Sequence, residues 1–238
     1  MKDSLKTISK GLLGMVFLST TVIAAAQESK GSFNVGADVV SSYVWRGVAQ
    51  GSNEPNIQPS VSYTNGGLTI GVWGSGNLSG SIKEADLYAT YAVSSLFSVT
   101  LTDYNWTFTP GTSYFKYSNG TDHQFEGTIS YAGVACCPLS ASINTIFYGA
   151  DKKASDGKQA YSTYVELGYP IASNAKVFAG ASLSESSIYA TSGFGVTNVG
   201  LKVSKSIEIS DKFSLPVYGI AGVNPKAESA FLVVGVTL

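Results

Sequence analysis

The sequence predicts an all-β protein: a closed antiparallel transmembrane β-barrel of about twelve strands, with short periplasmic turns and long extracellular loops. Three observations predict it. Apolar and polar residues alternate with a period of two along most of the chain, and the connections between these segments alternate between long and short. After Gln27 no apolar run approaches the ~18–20 residues that a transmembrane helix needs.

Composition excludes several other classes of protein. The 238 residues carry 15 Lys+Arg against 16 Asp+Glu, and Arg46 is the sole arginine. Binding to nucleic acid needs clustered Lys and Arg, so we expect no nucleic-acid partner. The two cysteines, Cys136 and Cys137, are adjacent and cannot staple distant parts of a fold.

The N-terminus resembles an export signal. Lys2, Lys6 and Lys10 precede an apolar stretch over 11–26, which ends in the small residues Ala24-Ala25-Ala26. This pattern predicts a cleaved signal peptide over 1–26 and a barrel over 27–238 in the bacterial outer membrane. A buried or membrane-anchoring helix over 1–26 is the alternative interpretation.

The first predicted strand shows the alternation most clearly. Its odd positions include Phe33, Val35 and Trp45, whereas its even positions include Asp38 and Arg46. Side chains alternate between the two faces of a strand, so one face meets an apolar medium and the other a polar one. The twelve strands are predicted near 32–46, 57–63, 68–72, 84–93, 97–102, 125–131, 139–144, 161–169, 177–184, 198–204, 213–218 and 232–238.

The predicted connections differ in length from one end of the strands to the other. Long polar ones fall at 47–54, 76–83, 109–121, 149–160, 185–193 and 223–229, and short ones at 65–67, 94–96, 133–138, 171–174 and 206–211. Such a rhythm, with both termini on the short-turn side, is typical of outer-membrane barrels.

Apolar and polar residues also alternate along the strands of a soluble two-sheet sandwich, but the polar faces of its sheets usually carry Lys and Glu. Here the polar face consists mostly of Gly, Ser, Thr, Asn and Tyr, which favours a lumen. Aromatic residues gather near the strand ends, as they do in the girdles at a membrane interface. They are Tyr43, Trp45, Tyr63, Tyr91, Tyr131, Tyr161 and Tyr169.

A family resemblance begins at segment 41–50, SSYVWRGVAQ, which resembles the signature of the TorF family of porins, also called the Gcw_chp family. Weaker matches follow along the mature chain at Pro55 and Gln58, 71–75, Glu84 with Asp86 and Tyr88, Pro110-Gly111, 122–126, 164–169, 199–201 and Ser204-Lys205. The resemblance implies an outer-membrane barrel of the porin type without a defined substrate. The chain departs from the pattern at Cys136-Cys137, and it ends in Leu238 where many outer-membrane strands end in an aromatic residue.

Residue parity supplies the candidate pore-lining residues: Asp38, Arg46, Glu84, Asp86, Glu126, Glu166 and Lys202. In an open passage Arg46 would help set the ion preference, and the four inward Glu and Asp would disfavour anions. Alternatively, these carboxylates pair with Arg46, Lys202 or tyrosine hydroxyls, and the lumen is plugged by its own side chains. A twelve-strand barrel lies between the filled and the open size ranges, so both interpretations stay open.

Catalytic and metal-binding chemistry has little support. His123 is the sole histidine, and no G-x-S-x-G motif surrounds a serine, so we expect no enzymatic activity. One His and two adjacent Cys cannot form a zinc site, and we expect no metal and no cofactor.

Three functions remain as hypotheses. The first is a porin-like channel for passive or gated passage of small hydrophilic solutes. The second is a barrel with a plugged lumen that serves as a scaffold or adhesin through its outer loops, and the third is an outer-membrane hydrolase that uses His123. The expected partners are outer-membrane lipids, small hydrophilic solutes and the barrel-assembly machinery.

Overall fold

The computed structural model describes residues 31–51, 53–80, 83–106, 113–118 and 120–238. The predicted signal peptide lies outside the described residues, as does the Pro110-Gly111 match. Within them, no helix is long and apolar enough to cross a membrane.

The wall of the molecule is a single sheet that closes on itself. Sixteen strands lie in the described residues: β1 Ser32–Val40, β2 Tyr43–Trp45, β3 Val48–Gln50, β4 Asn56–Asn65, β5 Leu68–Asn77, β6 Lys83–Ala92, β7 Phe97–Asn105, β8 His123–Tyr131, β9 Ser140–Gly149, β10 Thr163–Ala172, β11 Ala175–Ser182, β12 Glu185–Ser186, β13 Thr191–Ser192, β14 Gly195–Ser210, β15 Phe213–Asn224 and β16 Ser229–Thr237. Twelve of these form the barrel, in the order β1-β16-β15-β14-β11-β10-β9-β8-β7-β6-β5-β4. The predicted closed antiparallel barrel of twelve strands is confirmed.

The barrel closes where the first strand meets the last. Asp38, Val39 and Val40 pair with Thr237, Val236 and Gly235. The backbone of Leu238 continues this ladder by donating to the carbonyl of Ala37 at 2.9 Å. Over these residues the two strands satisfy each other's backbone groups, which closes the sheet into a barrel.

The alternation predicted from the sequence sorts the wall residues as expected. Outward residues such as Val35, Val61 and Leu101 are exposed apolar side chains. Inward residues are mainly small and polar, and hydroxyls bridge neighbouring strands, as between Thr90 and Thr100 at 2.8 Å. The period of two therefore places an apolar surface outside and a polar surface around the interior, which we call the lumen.

The two ends of the barrel differ as predicted. Short connections at 66–67, 93–96, 132–139, 173–174 and 211–212 form one end, the short-turn rim. The opposite end, the long-loop rim, carries 41–55, 78–82, 106–122, 150–162, 183–194 and 225–228. Two of these, 78–82 and 225–228, are shorter than expected, because the flanking strands extend into the predicted loops.

One prediction about the first strand is wrong. β1 ends at Val40 rather than at Arg46. Ser41 completes the pairing with β16: its backbone nitrogen donates to the Val234 carbonyl at 2.8 Å, and its hydroxyl accepts from the Val234 nitrogen at 2.9 Å. Beyond this point the chain leaves the wall, so Tyr43 and Trp45 do not belong to an outer aromatic girdle.

Closure can be tested with a disulfide across the seam. We expect Val39→Cys combined with Val236→Cys, in a chain whose Cys136 and Cys137 are changed to Ser, to oxidise readily, because these residues are Cα partners. The product should migrate differently from the reduced chain on a non-reducing denaturing gel. In the control, Leu232→Cys replaces Val236→Cys and lies about 13 Å further along β16, too far for a disulfide. Equal cross-linking of both pairs would contradict the register.

Candidate functional site

A short hairpin occupies the lumen near the long-loop rim. It consists of β2 and β3, in which Tyr43 pairs with Gln50 and Trp45 with Val48. Arg46 and Gly47 form the two-residue turn, and both have positive φ, 52° and 79°. Positive φ at both central residues defines a type I′ turn, which fits the twist of a hairpin. We call residues 43–50 the plug hairpin.

The tip of the plug hairpin is docked against β14 and β15. The Gly47 carbonyl accepts from Asn224 Nδ2 at 3.1 Å. A Cβ at position 47 would overlap the backbone carbonyl of Thr197, so only glycine allows this approach. At the other end of the hairpin, the Tyr43 ring meets the Trp73 ring edge-on, with centroids 5.7 Å apart.

Arg46 joins the plug hairpin to the opposite side of the barrel. Its Nη1 and Nη2 donate to the two carboxylate oxygens of Glu126 on β8 at 2.6 and 2.8 Å. Nη1 also donates to the hydroxyl of Tyr189 at 2.6 Å. The side chains of Arg46 and Glu126 are 7% and 1% exposed. A buried, two-pronged arginine–carboxylate contact is among the strong polar interactions of proteins, and we call it the latch.

Aromatic rings surround the guanidinium group of Arg46. Its Cζ lies 4.3 Å from the ring centroid of Trp45 and 4.8 Å from that of Tyr164. Burial by itself lowers the pKa of Arg46. Glu126 and the neighbouring tyrosines raise it by more than burial lowers it, so the pKa of Arg46 lies above its ordinary value. Arg46 therefore stays charged, and the rings add cation–π attraction to the latch.

The rings pack into one cluster that fills this half of the lumen. The Trp45 and Tyr189 rings stack at 5.6 Å, and those of Tyr104 and Trp106 at 5.1 Å. Tyr104 also donates to Glu126 Oε1 at 3.0 Å. All three tryptophans of the chain belong to this cluster, whose members are Tyr43, Trp45, Val48, Trp73, Tyr104, Trp106, Tyr164, Ile188 and Tyr189.

Two more carboxylates are buried beside the plug hairpin. Glu84 and Asp86 on β6 lie near the Tyr43 hydroxyl; burial and then these two groups raise the pKa of Tyr43. Asp86 Oδ1 accepts from the Asn105 backbone at 3.2 Å. Among the described residues, the Glu84 oxygens and Asp86 Oδ2 have no hydrogen-bond partner within bonding distance.

The remaining predicted pore-lining residues also face the lumen. Glu166 accepts from the Tyr164 hydroxyl at 2.7 Å. Nearer the short-turn rim, Asp38 accepts from the Tyr218 hydroxyl at 3.0 Å, and Lys202 Nζ lies 4.6 Å from the Tyr218 ring centroid. All seven candidates therefore lie inside the barrel, but Arg46 reaches the lumen from the plug hairpin and not from the wall. Their role in permeation stays a prediction.

Sequence reasoning missed several residues of this site. Tyr43 and Trp45 were assigned to the outside by parity, and Tyr104 and Tyr189 were not singled out. The available signals were the Ser41-Ser42 break and the Arg46-Gly47 pair. Parity would also have found Lys176, which lies on the lumenal face of β11.

His123 lies on the other face of the wall. Its Nδ1 contacts Asp103 Oδ1 at 2.7 Å, and its Nε2 donates to the Tyr114 carbonyl at 2.5 Å. The Tyr117 ring covers the imidazole, with centroids 4.2 Å apart. Both ring nitrogens are therefore engaged in holding segment 113–118 against the wall. The described residues contain no group of three or more His, Cys, Asp or Glu side chains placed to hold a metal ion.

The docking of the plug hairpin can be tested by intrinsic fluorescence, because every tryptophan reports on its cluster. We expect Gly47→Ala to shift tryptophan emission to the red and to increase quenching by acrylamide, since the new methyl group collides with Thr197. Gly66→Ala is the control: it also has a positive φ, 57°, but its Cβ would meet nothing within 4 Å. Both variants carry a similar backbone strain of about 1–2 kcal/mol. Identical spectra for the two variants would show that the tip is not docked.

The comparisons with known proteins identify a family without assigning an activity. The family model Gcw_chp, described as "Bacterial protein of unknown function", matches residues 24–213. No curated protein matches the chain. The matched range includes the plug hairpin, Glu126 and most of the barrel wall. Since the match covers well over half of its length, the chain belongs to the Gcw_chp family.

Proposed function

We propose that the protein is a porin-like channel of the bacterial outer membrane, of the TorF type, whose passage for small hydrophilic solutes is gated by the plug hairpin. A closed twelve-strand barrel with apolar residues outside and polar residues inside supports this proposal. The long loops at one rim, the short turns at the other and the predicted signal peptide are compatible with the same location.

The latch is the observation that carries the gating proposal. The plug hairpin is attached to the wall by the chain at its two ends, and its tip is held by the contacts of Arg46 and Gly47 described above. These contacts are non-covalent. Hydrogen bonds to charged groups contribute roughly 1.5–3 kcal/mol each, so the hairpin is held firmly but reversibly.

The lumen on the far side of the plug hairpin supports a passage rather than a solid core. Inward residues of the long-loop half, such as Glu126 and Tyr164, are buried, whereas those of the short-turn half, such as Ser62, Ser98 and Ser142, are only half-buried. Small hydroxyl side chains offer hydrogen bonds to water and to polar solutes without filling the space. We call the half-buried space in the short-turn half the vestibule. Displacement of the plug hairpin would connect the vestibule to the long-loop rim.

The membrane location can be tested with neighbouring residues of opposite parity. We expect Val61→Arg to impair assembly, because an arginine facing lipid at mid-depth costs about 2–4 kcal/mol. Ser62→Arg, one residue along β4, faces the lumen and should be tolerated. The measurements are outer-membrane fractionation and the change in gel migration that heating causes in folded barrels. Equal tolerance of both variants, or recovery of the wild-type chain in a soluble fraction, would contradict a lipid-facing wall.

The gate can be tested in planar bilayers with Glu126→Gln, which keeps the size of the side chain but removes the charge that Arg46 binds. We expect its open fraction to exceed that of the wild type by about tenfold or more, since the lost contacts contribute at least ~1.5 kcal/mol. Glu208→Gln removes the same charge from an exposed position on β14 and should behave as the wild type. Arg46→Ala should open the gate as well and shift the reversal potential toward cations, because the lumenal carboxylates remain.

A scaffold or adhesin is the second candidate function, and the dense aromatic cluster favours it. A lumen filled for rigidity would prevent the barrel from conducting ions even without the latch. Folded Glu126→Gln and Arg46→Ala proteins that give no conductance steps would therefore favour the scaffold over the channel. Enzymatic activity is not part of the proposal, because the hydrogen bonds of His123 suit a structural role.

A further inference from the structure

The short-turn rim presents both cysteines of the chain to solvent. Cys136 and Cys137 lie in the connection between β8 and β9, and both are free and exposed. Since the 238 residues contain two cysteines, each can pair only with the other or with a thiol outside the chain. Adjacent Cα atoms lie about 3.8 Å apart across a trans peptide, closer than the range of about 4.4–6.8 Å that disulfides usually span. The spacing therefore disfavours a bond between the two.

The backbone around the cysteines forms a small closed turn. Val134 and Cys137 exchange two backbone hydrogen bonds, of 3.1 and 2.9 Å, across a two-residue tip. Just before the turn, Gly133 has a φ of 83°, and a Cβ there would lie 2.9 Å from the carbonyl carbon of Pro138. The start and the end of the turn are thus in close contact, and this arrangement keeps both cysteines at the rim.

The cysteine turn lies in the middle of an uncharged part of the rim. In the wall, β8 and β9 have β7 and β6 on one side and β10 and β11 on the other. The three connections between these strands, with the residues next to them, are 93–96, 132–139 and 170–175, and they contain no charged residue. We call these three segments the apolar arc. Its exposed large apolar side chains are Val93 at 60%, Leu139 at 38% and Ile171 at 56% exposure.

The rest of the short-turn rim has a different character. The hairpin of β14 and β15 carries Lys205, Glu208, Asp211 and Lys212 at exposed positions. Charged residues are depleted from the centre of protein interfaces, whereas burial of apolar surface is favourable by roughly 25 cal/mol per Å². The apolar arc is therefore the part of this rim that suits burial against another surface.

We propose that the apolar arc is the interface of a two-fold dimer, in which Cys136 and Cys137 form disulfides with the same two residues of a second copy. A two-fold interface uses the same patch on both copies, so two thiols meet two thiols and none is left over. Lipid also covers apolar side chains, but it offers no partner for the thiols. The proposal rests on the proposed outer-membrane location for its oxidant, because the periplasm is an oxidising compartment.

Each disulfide forms by thiol–disulfide exchange. A cysteine thiolate of one copy attacks an external disulfide, forms a mixed disulfide and releases one thiol. A cysteine thiolate of the second copy then attacks the cysteine sulfur of the mixed disulfide and releases the second thiol. For each bond, two protein thiols give two electrons and two protons to one external disulfide, which becomes two thiols.

Oxidation of the folded, detergent-solubilised full chain with glutathione disulfide tests the proposal in either case of location. We expect the wild type to migrate as a dimer on a non-reducing denaturing gel and to return to the monomer after reduction. Cys136→Ser with Cys137→Ser should stay monomeric. The mass of the dimer should equal two chains without bound glutathione.

A relocated pair of thiols separates a built interface from chance collision. In the chain without Cys136 and Cys137, Asp211→Cys with Lys212→Cys places two adjacent exposed thiols on the charged part of the same rim. We expect this pair to form dimers at least about tenfold more slowly than the wild type, which corresponds to about 1.4 kcal/mol of lost association.

Ala135→Lys tests the arc while both cysteines stay in place. Ala135 is exposed beside Cys136, so a two-fold dimer would bring the two new charges together, and dimerisation should slow. A lysine beside a thiol favours the reactive thiolate, so slower cross-linking would report repulsion and not weaker chemistry. A wild type that stays monomeric, that joins its own two cysteines, or that dimerises no faster than the relocated pair would overturn the proposal. None of these outcomes depends on conductance, so the channel proposal stands or fails separately.

Discussion

The width of the barrel is the constraint on which the rest of the structure depends. Eight strands enclose a space that wall side chains can fill, and sixteen leave an aqueous channel. Twelve strands fall between, and the inward residues of this wall are mostly Ser, Thr, Gly and Asn, which cannot fill such a lumen. The chain resolves this by bending after Ser41 and inserting Tyr43 and Trp45 into the long-loop half. The other half stays accessible, so the interior is divided into a packed region and a vestibule.

The wall was predictable because each successive wall residue faces either the apolar or the polar medium, and its side-chain type indicates which. A strand between an apolar and a polar medium must alternate, so the positions of Glu84, Glu126 and Glu166 on the lumenal face followed from parity alone. The number of strands and the two kinds of rim followed from the same pattern and from the spacing of turn residues. Contacts between distant strands carry no such local signature. The sequence therefore left open whether Arg46 lines an open passage or pairs with a lumenal carboxylate, as it does with Glu126.

The plug hairpin was missed because it continues the pattern that predicts the wall. Tyr43 and Trp45 keep the odd parity of Phe33 and Val35, so nothing in the alternation marks the departure at Val40. A type I′ turn is usually announced by Asn-Gly or Asp-Gly, and Arg46-Gly47 lacks the first of these residues. The aromatic side chains of the segment favour its burial, and the same side chains made it resemble an outer girdle. Only the size of the lumen, a property of the whole barrel, decides that these rings lie inside.

Arg46 has two roles that oppose each other energetically. As the first turn residue it holds a φ of 52°, which costs a residue with a side chain about 1–3 kcal/mol. As the tip of the plug hairpin it contributes charge-assisted bonds of about 1.5–3 kcal/mol each to Glu126. Lysine could meet the charge but not the two-pronged geometry, which explains why the single arginine of the chain is used here. If the proposed gate opens with a change in this turn, relief of the strain would offset part of the lost latch contacts, and the docked and displaced hairpins would lie closer in free energy than those contacts alone imply. The proposed gate would need such a balance, since a plug held by unopposed contacts would not open.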